Sequence, residues 1–147
     1  MKKNLIISAS AAAVLLIAAV AYKPIAQALT DTPVEKSIDF SVYSVNNYNS
    51  AAYNQTSAQV HIIVEKVSKH SRTIVWEKTM DTRLLKQYPT ADKAISQKII
   101  VPGIFDKKEH LEVKYILIYD SKGSQLEMQD GTVVSTGAKS GKLNIGI

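Results

Sequence analysis

From Ile38 onward, apolar and polar residues alternate with a period of two, in short runs that stop at clusters of Gly, Pro, Asp, Asn or Ser. That period puts successive side chains on opposite faces of an extended strand. A helix would instead need apolar residues every three to four positions. Ile38, Phe40 and Val42 alternate with Asp39, Ser41 and Tyr43. Across residues 58–67, Val60, Ile62 and Val64 share one face. Residues 72–80 place Ile74, Trp76 and Met80 together, and Ser68-Lys69-His70-Ser71 joins these two runs as a hairpin. A further strand, 97–101, stops at Pro102-Gly103, and 111–119 points Leu111, Val113, Tyr115, Leu117 and Tyr119 one way.

Asp120-Ser121-Lys122-Gly123 then turns the chain into 124–129, with Leu126 and Met128 facing inward. Asp130-Gly131 marks another turn before 132–135, residues 136–141 form a loop, and Leu143, Ile145 and Ile147 alternate in the last run. Only residues 81–96 break the rhythm. Leu84, Leu85, Tyr88-Pro89 and a stretch with Thr90 as N-cap describe a crossover of short helical turns.

Seven or eight short strands without a long amphipathic helix predict an all-β domain over 38–147. The expected form is a two-sheet antiparallel sandwich, with a small β-barrel as the alternative. Trp76, in an early-middle strand, resembles the core tryptophan of immunoglobulin-like sandwiches. The paired cysteines of that family are missing, so the likeness is one of architecture and carries no function.

The first 28 residues differ in composition from the rest. Lys2 and Lys3 precede an apolar run from Leu5 to Ala21, and Pro24 is followed by Ala26-Gln27-Ala28. This is the pattern of a secretory signal peptide cleaved after Ala28; Ala19-Val20-Ala21 offers a second small-x-small site, and an uncut anchor is the alternative. Export to the periplasm or the cell exterior is therefore expected, without stable membrane insertion once the leader is gone. Residues 29–37, with Thr30, Asp31, Pro33 and Glu35, are expected to be a tether. Loss of Lys2, Lys3 and Lys23, and of no acid, lowers the formal charge from +5 to +2. Such a surface gives no support for nucleic acid as a partner. An exported chain without cysteine must be held by packing alone.

Chemistry is sparsely supplied. No G-x-S-x-G elbow is present, and His61, His70 and His110 are the only histidines. His61 and Glu65 share a strand face but lie about 13 Å apart, too far for one zinc. His110, Glu112 and Asp106 are closer, within a segment of mixed charge that is expected to be a solvated loop. Residues 137–143 resemble a phosphate loop but carry Leu143 where a magnesium-binding hydroxyl belongs. No catalytic residue, metal site or cofactor is expected.

Recognition is better supplied. The segment 46–57 is a long polar link rich in tyrosine and asparagine, a composition shared with antibody binding loops. Tyr48, Asn49, Tyr53 and Asn54 are its expected contacts, for a glycan or protein partner of the cell envelope; the competing role is that the tyrosines cover one end of the sandwich. Lys66, Lys69, His70 and Arg72 form a basic hairpin suited to phosphate or sulfate groups or to guarding an edge. The alternating strand 142–147 could instead complete a neighbour's sheet, making the chain a structural subunit. The leading expectation is a non-enzymatic binding module.

Overall fold

The computed structural model describes residues 31–147, of which Pro33–Ile147 make one compact unit. The leader of residues 1–28 and the bond after Ala28 lie outside the described residues. No helix among the described residues is long and apolar enough to cross a membrane.

Period-two alternation becomes eight strands in two sheets. The smaller sheet has the order β5-β1-β8, with β1 Val34–Tyr43, β5 Ile95–Ile104 and β8 Ser140–Gly146. The larger runs β3-β2-β6-β7, with β2 Thr56–Ser68, β3 Arg72–Thr79, β6 Glu109–Ser121 and β7 Ser124–Val134. A two-residue strand, β4 Arg83–Leu84, pairs with the start of β2. The expected sandwich is formed, and the sheets do not close into a barrel.

The two sheets share one core. Ile38, Phe40 and Val42 of β1, Ile99 and Val101 of β5, and Leu143 and Ile145 of β8 meet Val60, Ile62 and Val64 of β2 and Leu111, Val113 and Leu117 of β6. Each set comes from alternate positions of its strand, so the pleat alone sorts core from surface. The likeness to immunoglobulin domains stops at this layering. The β2–β3 hairpin lies within one sheet, and Trp76 sits half-buried on the edge strand β3, its ring 5.5 Å from that of Phe40.

Several local expectations are corrected. β1 and β8 run parallel, from Ser37 beside Ser140 to Tyr43 beside Gly146, so the smaller sheet is not wholly antiparallel. The two strands are separated by the whole larger sheet, and no hairpin constrains their direction. β1 begins at Val34, inside the expected tether, because Lys36 continues the inward phase of Ile38 and is itself fully buried. Pro102-Gly103 does not end β5, which reaches Ile104. On an edge strand the missing proline N–H costs no ladder bond, and the irregularity is absorbed opposite Val34 and Lys36.

Asp130-Gly131 is no turn but the middle of β7. Gly131 is needed there because a Cβ would lie 2.3 Å from the Val113 carbonyl oxygen. The turn expected at Asp120-Ser121-Lys122-Gly123 is formed, with φ of 55° at Lys122 and 86° at Gly123, as a two-residue hairpin loop requires. The crossover carries short 3-10 turns at Leu85–Gln87 and Ala91–Lys93. Thr90 does not cap with its side chain; its hydroxyl contacts Asp92 instead. Tyr88 anchors the crossover by entering the core and donating its hydroxyl to the Ala58 carbonyl at 2.9 Å.

Candidate functional site

The Tyr/Asn loop is built by short-range polar contacts. Asn49 N–H is accepted by the Asn47 side chain at 3.1 Å, Ser50 Oγ accepts from Ala52 N–H at 3.4 Å, and a 3-10 turn follows at Ala51–Tyr53. The turn brings Tyr53 onto Tyr48 edge to face, with ring centres 5.1 Å apart. Tyr48 is half-buried and packs on the core, whereas Tyr53, Asn49 and Asn54 are exposed. The four residues therefore divide: one side chain covers the sandwich end, and three face solvent.

The loop borders a ledge on the larger sheet. Tyr119 pairs across strands with Leu126, and Leu117 with Met128, so all four point to the core side. Leu126 and Met128 do face inward as the alternation predicts, but they do not enter the core: they remain 61% and 53% exposed. The reason is a mismatch of widths, since three strands cover a sheet whose main path is four strands across. At the far end of β7 the sheets close, because Gly141 of β8 lies so near Val134 that a Cβ would come within 2.4 Å of its side chain. At the near end Leu126 and Met128 are left uncovered. Burial, with Tyr48 and Tyr115 close by, keeps the Tyr119 hydroxyl protonated above the usual tyrosine range, and burial with Asp130 nearby does the same for Tyr115. The ledge is thus apolar and tyrosine-rich, with no charge change near neutral pH from its phenols.

Beside the ledge runs the free edge of β7. The closing pair Ser121 and Ser124 sets the phase of the ladder to β6. Gln125, Glu127, Gln129, Gly131 and Val133 consequently direct their backbone groups away from β6. Gly131 N–H is taken by the Asp130 side chain at 2.7 Å. The other free edges are guarded. β3 has Arg72, Lys78 and a register shift; β5 has Lys98, Pro102 and another shift; β8 has Lys142 and only seven residues. Among the described strands, β7 is the sheet edge with no proline, no basic residue and no register shift along its eleven residues.

The remaining candidates are placed elsewhere. Glu112 faces Arg72, which donates to it at 2.6 and 3.1 Å and also binds Glu65; Lys114 donates to Glu65 at 2.8 Å. These bonds hold both carboxyls below the usual glutamate range. Asp106 is instead bound by Lys36 at 2.5 Å, so His110, Glu112 and Asp106 are not gathered around one point. Among the described residues, no group of three or more His, Asp or Glu is placed to hold a metal. Residues 142–147 are seated in the chain's own fold, with Leu143, Ile145 and Ile147 buried and the Ile147 N–H bonded to the Tyr43 carbonyl at 2.8 Å.

Sequence reasoning missed the β7 edge and Lys36. The signal for Lys36 was its phase, two residues before Ile38; for β7 it was the absence of Lys, Arg and Pro from residues 124–134. Comparison with known proteins finds no matching family model, no matching curated protein and no matching solved structure.

Proposed function

We propose that the chain is an exported, non-enzymatic binding module that takes an extended polypeptide segment along β7, with the Tyr48–Tyr53 loop at one end of the contact. The observation that carries this reading is the unguarded edge of β7 running beside exposed Leu126 and Met128. An added strand would pair with the outward backbone groups of Gln125, Glu127 and Gln129, each bond contributing about 0.5–1.5 kcal/mol net. Its alternate side chains would cover Leu126 and Met128, at roughly 1–2 kcal/mol each. Because β7 carries Glu127 and Asp130 and no basic residue, the segment that fits is alternately apolar and basic. Tyr53, Asn49 and Asn54 would meet one end of it.

The test is Glu127→Pro. Its N–H points away from β6, so proline there removes an edge donor without breaking the ladder. Capture of an envelope polypeptide by the purified chain should fall at least tenfold, with the melting midpoint nearly unchanged. Capture that survives Glu127→Pro but is lost in Tyr48→Ala with Tyr53→Ala would place recognition of the polypeptide in the loop and not along β7.

A further inference from the structure

At the other end of the sandwich, a hairpin turn and a turn that crosses between the sheets border a half-open recess of about 640 Å³, lined by Ser68, Lys69 and His70 of the β2–β3 turn and by Phe105, Lys107, Lys108 and Glu109 of the β5–β6 turn. The segment 105–109 is mixed in charge as a sequence, but its fold sorts the charges. Asp106 turns away to buried Lys36 and accepts the Gly137 N–H at 2.8 Å. Glu109 folds back to accept the Phe105 N–H at 2.9 Å, while the Phe105 carbonyl accepts from the Lys108 and Glu109 amides. Both acids of the turn are engaged, and the lysines are left facing solvent.

Lys69, Lys107 and Lys108 are exposed, and among the described residues none lies within ion-pair distance of a carboxylate. Guarding a sheet edge does not explain them, since they sit in turns and not on edge strands. Among the described residues, the one carboxylate lining the recess, Glu109, is engaged by Lys66 and the Phe105 N–H, so the three lysines leave a net positive charge there that favours an anion. The walls are also prebuilt. Ser68 Oγ accepts from the Ser71 N–H at 3.1 Å and the β5–β6 turn is pinned through Asp106, so the turn backbones need little further ordering on binding. The volume lies in the range of small-molecule pockets and far exceeds what an inorganic anion fills. Phe105, 40% exposed, supplies a flat apolar wall, and Ser68 and His70 supply polar groups. Among the described residues, no Tyr, Trp or second Phe lines the recess beside Phe105; the other ring there is the small imidazole of His70.

We propose that this recess binds a phosphate- or sulfate-bearing saccharide, with the anion among Lys69, Lys107 and Lys108 and the sugar ring against Phe105. The site uses no residue of the β7 edge and lies at the end of the sandwich away from the Tyr48–Tyr53 loop and the Leu126–Met128 ledge. Lysines suit it because each acts as a point charge and tolerates either anion and several ring linkages.

The experiment is calorimetric titration of the purified chain with a sulfated oligosaccharide, glucose 6-phosphate, inorganic phosphate, adenosine monophosphate and a single-stranded oligonucleotide. A parallel sedimentation assay uses vesicles carrying a phosphorylated glycolipid. The anionic saccharide should bind at least tenfold more tightly than inorganic phosphate. Lys69→Gln with Lys107→Gln and Lys108→Gln should weaken it at least tenfold, whereas the same charge change at Lys86, Lys93 and Lys98 should not. Phe105→Ala should weaken saccharide binding and leave inorganic phosphate unaffected. Binding to the soluble sugar identifies a free glycan, and binding to vesicles alone identifies a lipid-borne headgroup; both support the site. Equal affinity for the nucleotide or oligonucleotide, unchanged saccharide affinity in the triple lysine variant, or no binding to any anionic saccharide overturns it.

Discussion

Lys36 shows how one side chain can join parts of a fold far apart in sequence. Its ammonium group is fully buried, yet it donates to the Ser135 and Ala138 carbonyls at 2.6 and 2.8 Å and lies 2.5 Å from Asp106. Burial of a charge is unfavourable unless such partners replace water. One residue thereby ties β1 to the turns before β6 and β8. Lys36→Ala leaves two carbonyls without a donor, at about 1–3 kcal/mol each. The urea midpoint should fall by the equivalent of about 2–4 kcal/mol, with the slope of the transition unchanged. Gly131 is constrained by space alone. Gly131→Ala drives a methyl group against the Val113 backbone, where nothing flexible can yield, and should cost about 1–3 kcal/mol in the same assay. A Gly131→Ala protein as stable as the parent would show that β6 and β7 separate more readily than their register implies.

At the scale of elements, strand periodicity was legible and strand environment was not. Leu126 and Met128 have the right phase for a core face, and pairing with Tyr119 and Leu117 puts them on it. Whether that face is covered depends on how many strands lie above it, which no local pattern records. Asp130-Gly131 has the composition of a hairpin turn, yet the close approach of β6 gives glycine a second use inside a strand. The Tyr/Asn loop was legible as a loop, and its division into covering Tyr48 and exposed Tyr53 was not, because that is set by the packing of Tyr48 on the buried core. Likewise the basic recess joins residues 68–70 to residues 105–109, a neighbourhood made by the β2–β6 pairing of Ser68 with Glu109.

The charged cluster across β2, β3 and β6 belongs to the same scale. Lys114 and Arg72 lower the Glu65 carboxyl, and Arg72 lowers that of Glu112. As pH falls the unfolded chain takes up protons first, at about pH 4.3 for an ordinary glutamate, so the stabilisation is present above that value and is lost below it. Denaturation midpoints should hold between pH 7 and 5 and fall below about pH 4. Arg72→Gln should flatten that dependence. The magnitude is modest, because Arg72 is substantially exposed and solvent screens the pairs.

The whole molecule is closed by a pairing of its first and last strands. β1 lies between β5 and β8, so the smaller sheet cannot be completed until the rest of the chain has been threaded through the larger one. Such non-local contacts predict folding slower than that of a helical protein of this size. They also make residues 142–147 decisive for two readings of the molecule. Leu143, Ile145 and Ile147 are buried, and losing each exposes core at about 2–5 kcal/mol. Together these losses match the whole stability of an ordinary domain, roughly 5–15 kcal/mol. Deletion of residues 142–147 should therefore abolish the cooperative thermal transition, and a separate peptide of residues 140–147 should restore it in part. A chain that donated this strand to a neighbour would behave otherwise: the truncated protein would stay folded as a monomer and lose only its concentration-dependent polymers in light scattering. If β7 is the receiving edge, the truncated chain loses its partner because it loses its fold, whereas Glu127→Pro loses the partner and keeps the transition.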